Sequence, residues 1–213
     1  MKILPRILAC LSASLVPAMA EPASKSGVKK SPAPAAAPQY QEESPLPQGW
    51  PRPGPFDQVV RKSYPAYRAA FTTRASPNGG FWTLFKHIER NRIPMTAPVE
   101  MKLRESPAGG VSMEEMGFLY QAPGVGHAGA DGDQVMVRDM PAQEALSYAW
   151  QGTRNKAATA RARNAIQAEL ARQNLTPAGF RLLAYNSPFI PRAKQTHELQ
   201  ALIPPPPTQP PNR

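Results

Sequence analysis

The chain has 213 residues, of which 41% are hydrophobic and 19% charged, and its formal net charge is +10. These proportions are close to those of globular proteins and exclude wholesale disorder, and the length fits one domain with appendages. The longest apolar run is shorter than the roughly 20 residues that a transmembrane helix requires, which excludes a polytopic membrane protein.

The first twenty residues follow the pattern of a signal peptide. Lys2 and Arg6 give it a positive start, an apolar stretch follows, and Ala18-Met19-Ala20 fits the small-x-small cleavage pattern. The sequence therefore predicts a signal peptide over residues 1–20 and export to the periplasm or the extracellular space. The mature chain is then expected to begin at Glu21 and to have no transmembrane segment.

The single cysteine leaves a second interpretation of this segment open. Cys10 would be the lipid-modified residue of a lipoprotein, but Leu8 is unusual in such a motif and the apolar stretch before it is short. Cleavage after Ala20 is favoured, and it leaves a mature chain without cysteine. Disulfides, a thiolate nucleophile, a cysteine zinc site and covalent cofactor attachment through a C-x-x-C-H motif are then excluded.

Proline marks the predicted domain boundaries. Of the 27 prolines, nine fall within residues 22–55 and six follow Ile203. Such stretches behave as polyproline-like or disordered tethers. The sequence therefore predicts a disordered Pro/Ala-rich linker over residues 21–55, one compact domain over residues 56–203 and a disordered Pro-rich tail over residues 204–213.

The compact domain contains an internal repeat. Residues 57–69 align without gaps on residues 133–145, and Asp, Gln, Val, Pro and two Ala recur in both copies. A helical pattern follows each copy. The first has apolar residues at i, i+3, i+4 and i+7, namely Phe81, Leu84, Phe85 and Ile88, and the second is an alanine-rich stretch over residues 153–174.

Two strand-like segments follow each helix, and several of them alternate apolar with polar or small residues. They cover residues 95–103, 113–121, 180–186 and 196–202. Each half is thus predicted to be strand, strand, helix, strand, strand. We expect an α+β fold, an internally duplicated and distorted eight-stranded antiparallel β-barrel flanked by two helices, because closure protects the sheet edges.

Several motifs of this domain resemble the SOUL haem-binding protein family. They are VRKSYPAY at residues 60–67, GFWTLFKHI at 80–88, IPMTAPV at 93–99 and AYNSPF at 184–189, followed by Arg192 and by His197-Glu198-Leu199. The M-T-A-P-V run is the most specific of them. The resemblance covers the domain from about Phe56 to Ile203 and implies an internally duplicated α/β barrel.

The resemblance also implies a function. It implies non-covalent binding of haem or another porphyrin in a shallow hydrophobic site, without an established reaction. Together with the predicted signal peptide, this predicts an exported carrier, buffer or scavenger. The chain departs from the family at three positions. Arg68 stands where the family has a proposed axial histidine, His87 where a tyrosine is usual, and His197 where an asparagine is usual. Membership alone therefore brings no iron ligand into this chain.

A tetrapyrrole site needs an apolar slot, cations for the propionates and, optionally, an axial ligand. The predicted contact residues lie mainly on the first helix and are Phe81, Leu84, Phe85, His87, Ile88, Arg68 and Lys86. His87 and Met95 are the possible axial ligands. The apolar stripe also fits ordinary core packing. His127 is expected in a solvated loop and His197 in a structural hydrogen bond, and no histidine or methionine pair has the spacing of a protein-only metal site.

The second helix is strongly basic, with five Lys or Arg residues and one acid over residues 153–174. Without interleaved aromatics this favours a solvated face, or weak attraction to an anionic envelope surface, over nucleic-acid binding. An alternative function is a small-molecule sensor or hydrolase on the same barrel, which would hold a lipophilic ligand through a buried carboxylate of Glu114 or Glu115. No catalytic motif is legible, so binding is expected rather than catalysis.

Overall fold

The computed structural model describes residues 37–73, 80–105 and 111–205. The predicted signal peptide, the first part of the predicted linker and most of the predicted tail lie outside the described residues. Within the described ranges, neither helix has both the length and the apolar character that a membrane crossing requires.

Nine strands and two α-helices make up the described part of the domain. In chain order they are β1 (Val59–Tyr64), β2 (Tyr67–Thr72), α1 (Gly80–Arg90), β3 (Val99–Glu105), β4 (Val111–Leu119), β5 (Gly129–Asp131), β6 (Val135–Met140), β7 (Gln143–Gln151), α2 (Lys156–Gln173), β8 (Gly179–Ala184) and β9 (Thr196–Ile203). A short 3-10 turn, Arg192–Lys194, lies between β8 and β9. The predicted order of two strands, a helix and two strands occurs twice, with β5 as an addition.

All nine strands belong to one antiparallel sheet with the order β1-β7-β9-β8-β3-β4-β2-β6-β5. The prediction of a closed eight-stranded barrel is wrong in strand number and in closure, because β1 and β5 are free edges of an open sheet in the described residues. The unpredicted β5 accounts for the ninth strand. It pairs with β6 through Gly129 and Val137, and so occupies the edge to which a closing strand would have to bind.

The eight other strands form two sets of four, β1 to β4 and β6 to β9, which correspond to each other. Val59 and Val135, which begin β1 and β6, are 76 residues apart, and so are the first residues of β2 and β7. Strands β1, β2, β3 and β4 correspond to β6, β7, β8 and β9, respectively. The two members of each pair lie at equal distances from opposite ends of the eight-strand order. The duplication itself stays a prediction, since it concerns the superposition of the two halves.

Both helices lie on one face of the sheet, which we call the helix face. The apolar side chains that point to this face form the larger core, and its fully buried members include Leu84 of α1, Ile166 of α2 and Trp150 of β7. Burial of such side chains supplies the main favourable term in folding. Helix α1 packs on β2, β4 and β6, whereas α2 packs on β7, β9 and β1, so the helices cover different parts of the sheet.

The opposite face of the sheet is covered by residues 37–55, which we call the strap. Its Trp50 is only 6% exposed and packs on Tyr64 and Tyr67. Backbone hydrogen bonds tie the strap down, for example from Gln48 N to the carbonyl of Gln121 at 2.9 Å. This part of the predicted linker therefore belongs to the packed domain.

Candidate functional site

The apolar stripe of α1 serves two purposes. Leu84 and Ile88 are 0% and 4% exposed and attach the helix to the core, as the ordinary interpretation of a helical stripe predicts. Phe81 and Phe85 are only partly buried, and their rings stack with centroids 6.2 Å apart. Beside them, Trp82 is 60% exposed, so the three rings form an aromatic patch at the surface.

The remaining predicted residues of this group are separated from the patch. Lys86 is exposed on the outside of α1. Met95 follows the helix and packs, partly buried, against the core of the helix face. The structure therefore does not gather the predicted contact residues into one pocket.

His87 is buried on another side of α1 and is hydrogen-bonded at both ring nitrogens. Its Nε2 lies 2.6 Å from the hydroxyl of Tyr120, which follows β4, and its Nδ1 contacts the Oδ2 of Asp131 at the end of β5. Desolvation and the charge of Asp131 raise the pKa of Tyr120 to about 12, although Arg68 opposes the shift. The phenol is thus neutral at ordinary pH.

Asp131 is the anionic end of this chain. Besides His87, it accepts hydrogen bonds from Arg90 Nη2 at 2.6 Å and from Asn91 Nδ2 at 3.1 Å, both from the end of α1. The hydrogen bond to His87 is the largest cause that lowers the pKa of Asp131, and the bonds to Arg90 and Asn91 add to it. The carboxylate is therefore ionised and orients the imidazole.

A cavity of about 420 Å³ adjoins these side chains, and we call it the loop cavity. It is lined by His87, Tyr120 and Asp131, by Ile93 and Val137, and by residues 126–130, which end the loop between β4 and β5 and begin β5. Residues 126–130 are exposed, so the cavity opens to solvent on that side. Its size falls in the usual range of small-molecule sites, about 300–1,000 Å³.

Arg68 holds the loop in place. Its Nη1 donates to the carbonyl oxygens of Gly126 at 2.8 Å and Val125 at 3.3 Å, and its guanidinium makes a bidentate contact with Asp139. Gly126 has a φ of 63°, and a Cβ on it would lie 3.2 Å from the ring of Tyr120. Position 68 thus lies beside the loop cavity, but as a loop anchor.

Tyr120 and Asp131 were not among the predicted site residues. The alternation of Met116, Phe118 and Tyr120 did place the tyrosine on the core side of a strand. Nothing local indicated its partner, because His87 is 33 residues from Tyr120 and 44 from Asp131. Asp131 follows closely on the stretch in which His127 was expected to lie in a solvated loop.

The acids of the alternative function have cationic partners. Glu114 contacts Arg104 at 2.7 Å and Lys102 at 3.3 Å, and Glu115 contacts Arg138 at 2.6 Å, beside a second, polar cavity of about 580 Å³. Two carboxylates of the described residues are buried, and both lie elsewhere, beneath the strap. They are Glu100, paired with Arg181 at 3.3 Å, and Glu198, paired with Lys62 at 2.5 Å.

His197 differs from its expected role. It is 4% exposed in β9, its ring lies 5.4 Å from that of Trp150, and neither ring nitrogen has a hydrogen-bond partner in the described residues. His127 lies in the exposed loop, as expected, and lines the loop cavity. In the described ranges, no three His, Cys, Asp or Glu side chains are grouped to hold a metal ion.

Comparison with known proteins identifies the family. The family described as SOUL heme-binding protein matches residues 57–201, which is about two thirds of the chain. The chain belongs to the SOUL heme-binding family. A comparison with curated proteins gave no match.

Solved structures similar to this SOUL family member share its fold at low sequence identity. The crystal structure of the EcmrR C-terminal domain has a TM-score of 0.50 and 13% identity, and covers 68% of this chain and 96% of its own. EcmrR in a cryo-EM complex with DNA has a TM-score of 0.52, 12% identity, and covers 68% and 57%. A crystal structure of a hydrolase from Listeria innocua has a TM-score of 0.50, 12% identity, and covers 70% and 92%.

The loop cavity offers part of what a haem site requires. Ile93 and Val137 supply apolar wall, and the open side of the cavity allows the polar edge of a planar macrocycle to stay in water. Tyr120 is only 1% exposed, so its phenol oxygen is not offered to a ligand in this arrangement. Arg90, 61% exposed beside Asp131, is a cation at the rim.

Proposed function

We propose that this SOUL family member is an exported protein that binds haem or a related tetrapyrrole non-covalently, as a carrier, buffer or scavenger. The observation that carries the proposal is the loop cavity, which combines a small-molecule volume with the apolar wall of Ile93 and Val137 and a side that is open to solvent. The family membership supplies the ligand class. Because the predicted mature chain has no cysteine, attachment through thioether bonds is excluded.

The experiment is a titration of residues 21–213 with hemin and, separately, with metal-free protoporphyrin IX. We expect a saturable change in the Soret absorbance with one equivalent of either ligand, and complete release of the ligand under denaturing conditions in mass spectrometry. The absence of saturable binding with both ligands would contradict the proposed function.

Matched variants locate the ligand. Ala128→Trp places a bulky ring at the mouth of the loop cavity, whereas Ala160→Trp places the same ring on the exposed side of α2. We expect the first to weaken hemin and protoporphyrin binding about tenfold or more, equivalent to at least about 1.4 kcal/mol, and the second to have no effect. If Phe85→Ala weakens binding and Ala128→Trp does not, the ligand lies on the aromatic patch instead.

Export is part of the same proposal. It is supported by the positively charged start, the apolar stretch and the Ala18-Met19-Ala20 pattern. N-terminal sequencing of the protein from the periplasm or the medium is expected to begin at Glu21. An intact Met1 in the cytoplasm, or a lipid on Cys10, would contradict it.

The alternative function is less well supported. A buried carboxylate that binds a cationic lipophilic molecule must be free of protein cations, because a partner already neutralises it. Glu114, Glu115, Glu100 and Glu198 each carry such a partner. The structural similarity to a hydrolase at 12% identity shows a common fold and carries no activity to this chain.

A further inference from the structure

The aromatic patch lies outside the loop cavity and faces solvent. Trp82 is 60% exposed, and the half-buried rings of Phe81 and Phe85 lie beside it. None of the three side chains lines the loop cavity. A single exposed apolar side chain is common, but a contiguous cluster of them at the surface marks a site of interaction. The patch therefore indicates a partner that covers it.

Basic side chains extend the patch along the helix. Lys86 and Arg90 follow Trp82 at intervals of four residues and are exposed, so the three side chains form one row on the outside of α1. Arg92, also exposed, comes just after the helix. Lys86 and Arg92 make no ion pair within the described ranges. A row of this kind combines an apolar end with a cationic end.

Two acids lie close to this row. Glu89 is exposed on the last turn of α1, and Asp131 is paired with Arg90 at 2.6 Å. Three Lys or Arg side chains over residues 80–92 therefore face two carboxylates, and an excess of positive charge remains. The whole chain has the same sign, with a net charge of +10. The partner that complements this surface is anionic.

The size of the patch favours a lipid surface over a protein. A stable protein interface buries about 800 Å² on each partner, whereas one aromatic side chain buries about 150–250 Å² in total. Phe81 and Phe85 already pack part of that area against the core of the helix face. Binding at a bilayer surface requires less area, because inserted rings and cations attracted to the lipid phosphates act together. Tryptophan is enriched at the level of the headgroups, since its ring is apolar and its N–H group is polar.

Helix α2 fits a bilayer less well, although the sequence suggested weak attraction of its basic face to an anionic surface. Its exposed apolar side chains are alanines, such as Ala157 and Ala160, which offer little area for insertion. Two of its cations already have acidic partners, since Arg161 contacts Asp57 and Arg172 contacts Glu169.

The loop between β8 and β9 is the other rival surface. Phe189 is 93% exposed there, and the exposed cations Arg192 and Lys194 follow it. It offers a single ring, however. Glu43 accepts hydrogen bonds from Ser187 N and Oγ, both at 2.8 Å, and so places an exposed carboxylate two residues from Phe189. An anionic surface would repel that carboxylate.

We propose that the outside of α1 docks on an anionic phospholipid bilayer, with the ring of Trp82 inserted among the headgroups and with Lys86 and Arg92 on the lipid phosphates. The inference goes beyond the proposed function and does not depend on it. It assigns the membrane contact to α1 instead of α2. A protein held in this way would remain at a membrane surface without a transmembrane helix.

Trp82 is a native reporter for the test. The chain has three tryptophans, and Trp50 and Trp150 are only 6% and 1% exposed. Residues 21–213, without the predicted signal peptide and without haem, are mixed with vesicles of equimolar phosphatidylglycerol and phosphatidylcholine, or of phosphatidylcholine alone. With the anionic vesicles we expect the tryptophan emission to shift to shorter wavelength and to become protected from acrylamide. Trp82→Phe should lose the shift and still sediment with the vesicles.

Matched variants locate the contact. Trp82→Ala should weaken binding to the anionic vesicles at least about tenfold, because the inserted ring is lost, whereas Phe189→Ala should stay within about twofold of the wild type. Lys86→Gln should weaken binding about fivefold and Lys194→Gln less than about twofold, although both remove one positive charge from the chain. Circular dichroism confirms the fold of each variant.

Several results would overturn the inference. They are a failure to bind the anionic vesicles, equal binding to both kinds of vesicle, and wild-type binding without a shift in emission. The last of these decides the matter even if Trp82→Ala fails to fold. Equal effects of the α1 variants and the loop variants would show a contact determined by net charge alone.

Two further outcomes would assign the patch to another occupant. A wild-type dimer that Trp82→Ala dissociates would identify a second copy of the chain. A loss of hemin binding in Trp82→Ala, with vesicle binding unchanged, would identify the tetrapyrrole. Hemin titration of the wild type tests the proposed function separately, so either proposal can fail while the other stands.

Discussion

At the scale of single residues, the two buried histidines of the helix face have contrasting surroundings. His87 has a partner at each ring nitrogen, whereas neither ring nitrogen of His197 makes a hydrogen bond of regular geometry in the described residues. Desolvation, aided by the positive charge of Arg154, lowers the pKa of His197 to about 4, although the backbone of Gly152 opposes the shift. His197 is thus a neutral polar group within the core at ordinary pH.

The first prediction concerns the pH dependence of stability. Between the ordinary histidine pKa of 6.5 and about 4, unfolding lets His197 take up a proton that the folded state excludes, so the free energy of unfolding falls as pH falls. At 1.36 kcal/mol per pKa unit, His197→Asn should reduce the loss between about pH 7 and pH 4.5 by roughly 2–3 kcal/mol. Urea denaturation at both pH values measures it.

The matched control is His127→Asn, because His127 is exposed in the loop. That variant should follow the pH dependence of the wild type. An equal pH dependence for His197→Asn and the wild type would mean that the folded protein protonates His197 as readily as the unfolded chain does.

At the scale of secondary-structure elements, α2 is defined at both ends by asparagine. The side chain of Asn155 accepts a hydrogen bond from Ala158 N at 2.9 Å and caps the start of the helix. Asn174 takes the left-handed conformation, with φ of 51°, after the last turn, and Leu175 N donates to the carbonyl of Leu170 at 2.9 Å. Between them, Ala162, Ile166 and Leu170 are buried at helical spacing.

The second prediction is that Asn155→Ala lowers the free energy of unfolding by about 1 kcal/mol, because a backbone N–H of the first turn loses its acceptor. The midpoint of urea denaturation should fall while its slope stays constant. Asn155→Ser keeps an accepting oxygen and should stay within a few tenths of a kcal/mol of the wild type. If alanine is as stable as serine, water satisfies this amide and the cap contributes nothing.

At the scale of the whole molecule, the open sheet is covered on both faces by different means. The two helices cover one face, and the strap covers the other, where Tyr64, Tyr67 and Arg181 surround Trp50. The ion pair of Arg181 and Glu100 is almost completely buried there. The strap thus excludes water from charged groups whose interaction strengthens in a medium of low polarity.

The third prediction tests whether the strap is part of the folded unit. Trp50→Ala should destabilise the protein by about 3–5 kcal/mol, since it removes a buried ring from between two tyrosines. Trp82→Ala is the matched control, because that ring is 60% exposed, and its effect should stay within about 0.5 kcal/mol. Equal stability of the two variants would show that the strap is detached in solution.

The sequence by itself determined the elements and the family. The apolar stripe of α1 and the alternation in β4 and β9 repeat with the period of a helix or a strand. The spacing of apolar residues along the chain therefore predicts these elements directly, and with them the repeated order of two strands, a helix and two strands. The motifs at residues 60–67, 80–88 and 93–99 were sufficient for the resemblance that the family match over residues 57–201 confirms. Element boundaries differ from the predicted ones by a few residues.

Only the tertiary structure decided the open sheet, the strap and the loop cavity. β5 is three residues long and has no alternation that a sequence pattern could reveal, yet it pairs with β6 and forms one edge of the open sheet. In sequence, the strap resembles a proline-rich tether. Only the structure shows that its Trp50 packs on the face of the sheet opposite the helices. Three separate elements bring together His87, Tyr120 and Asp131. Contacts between residues so far apart in the sequence leave no local periodicity in the chain.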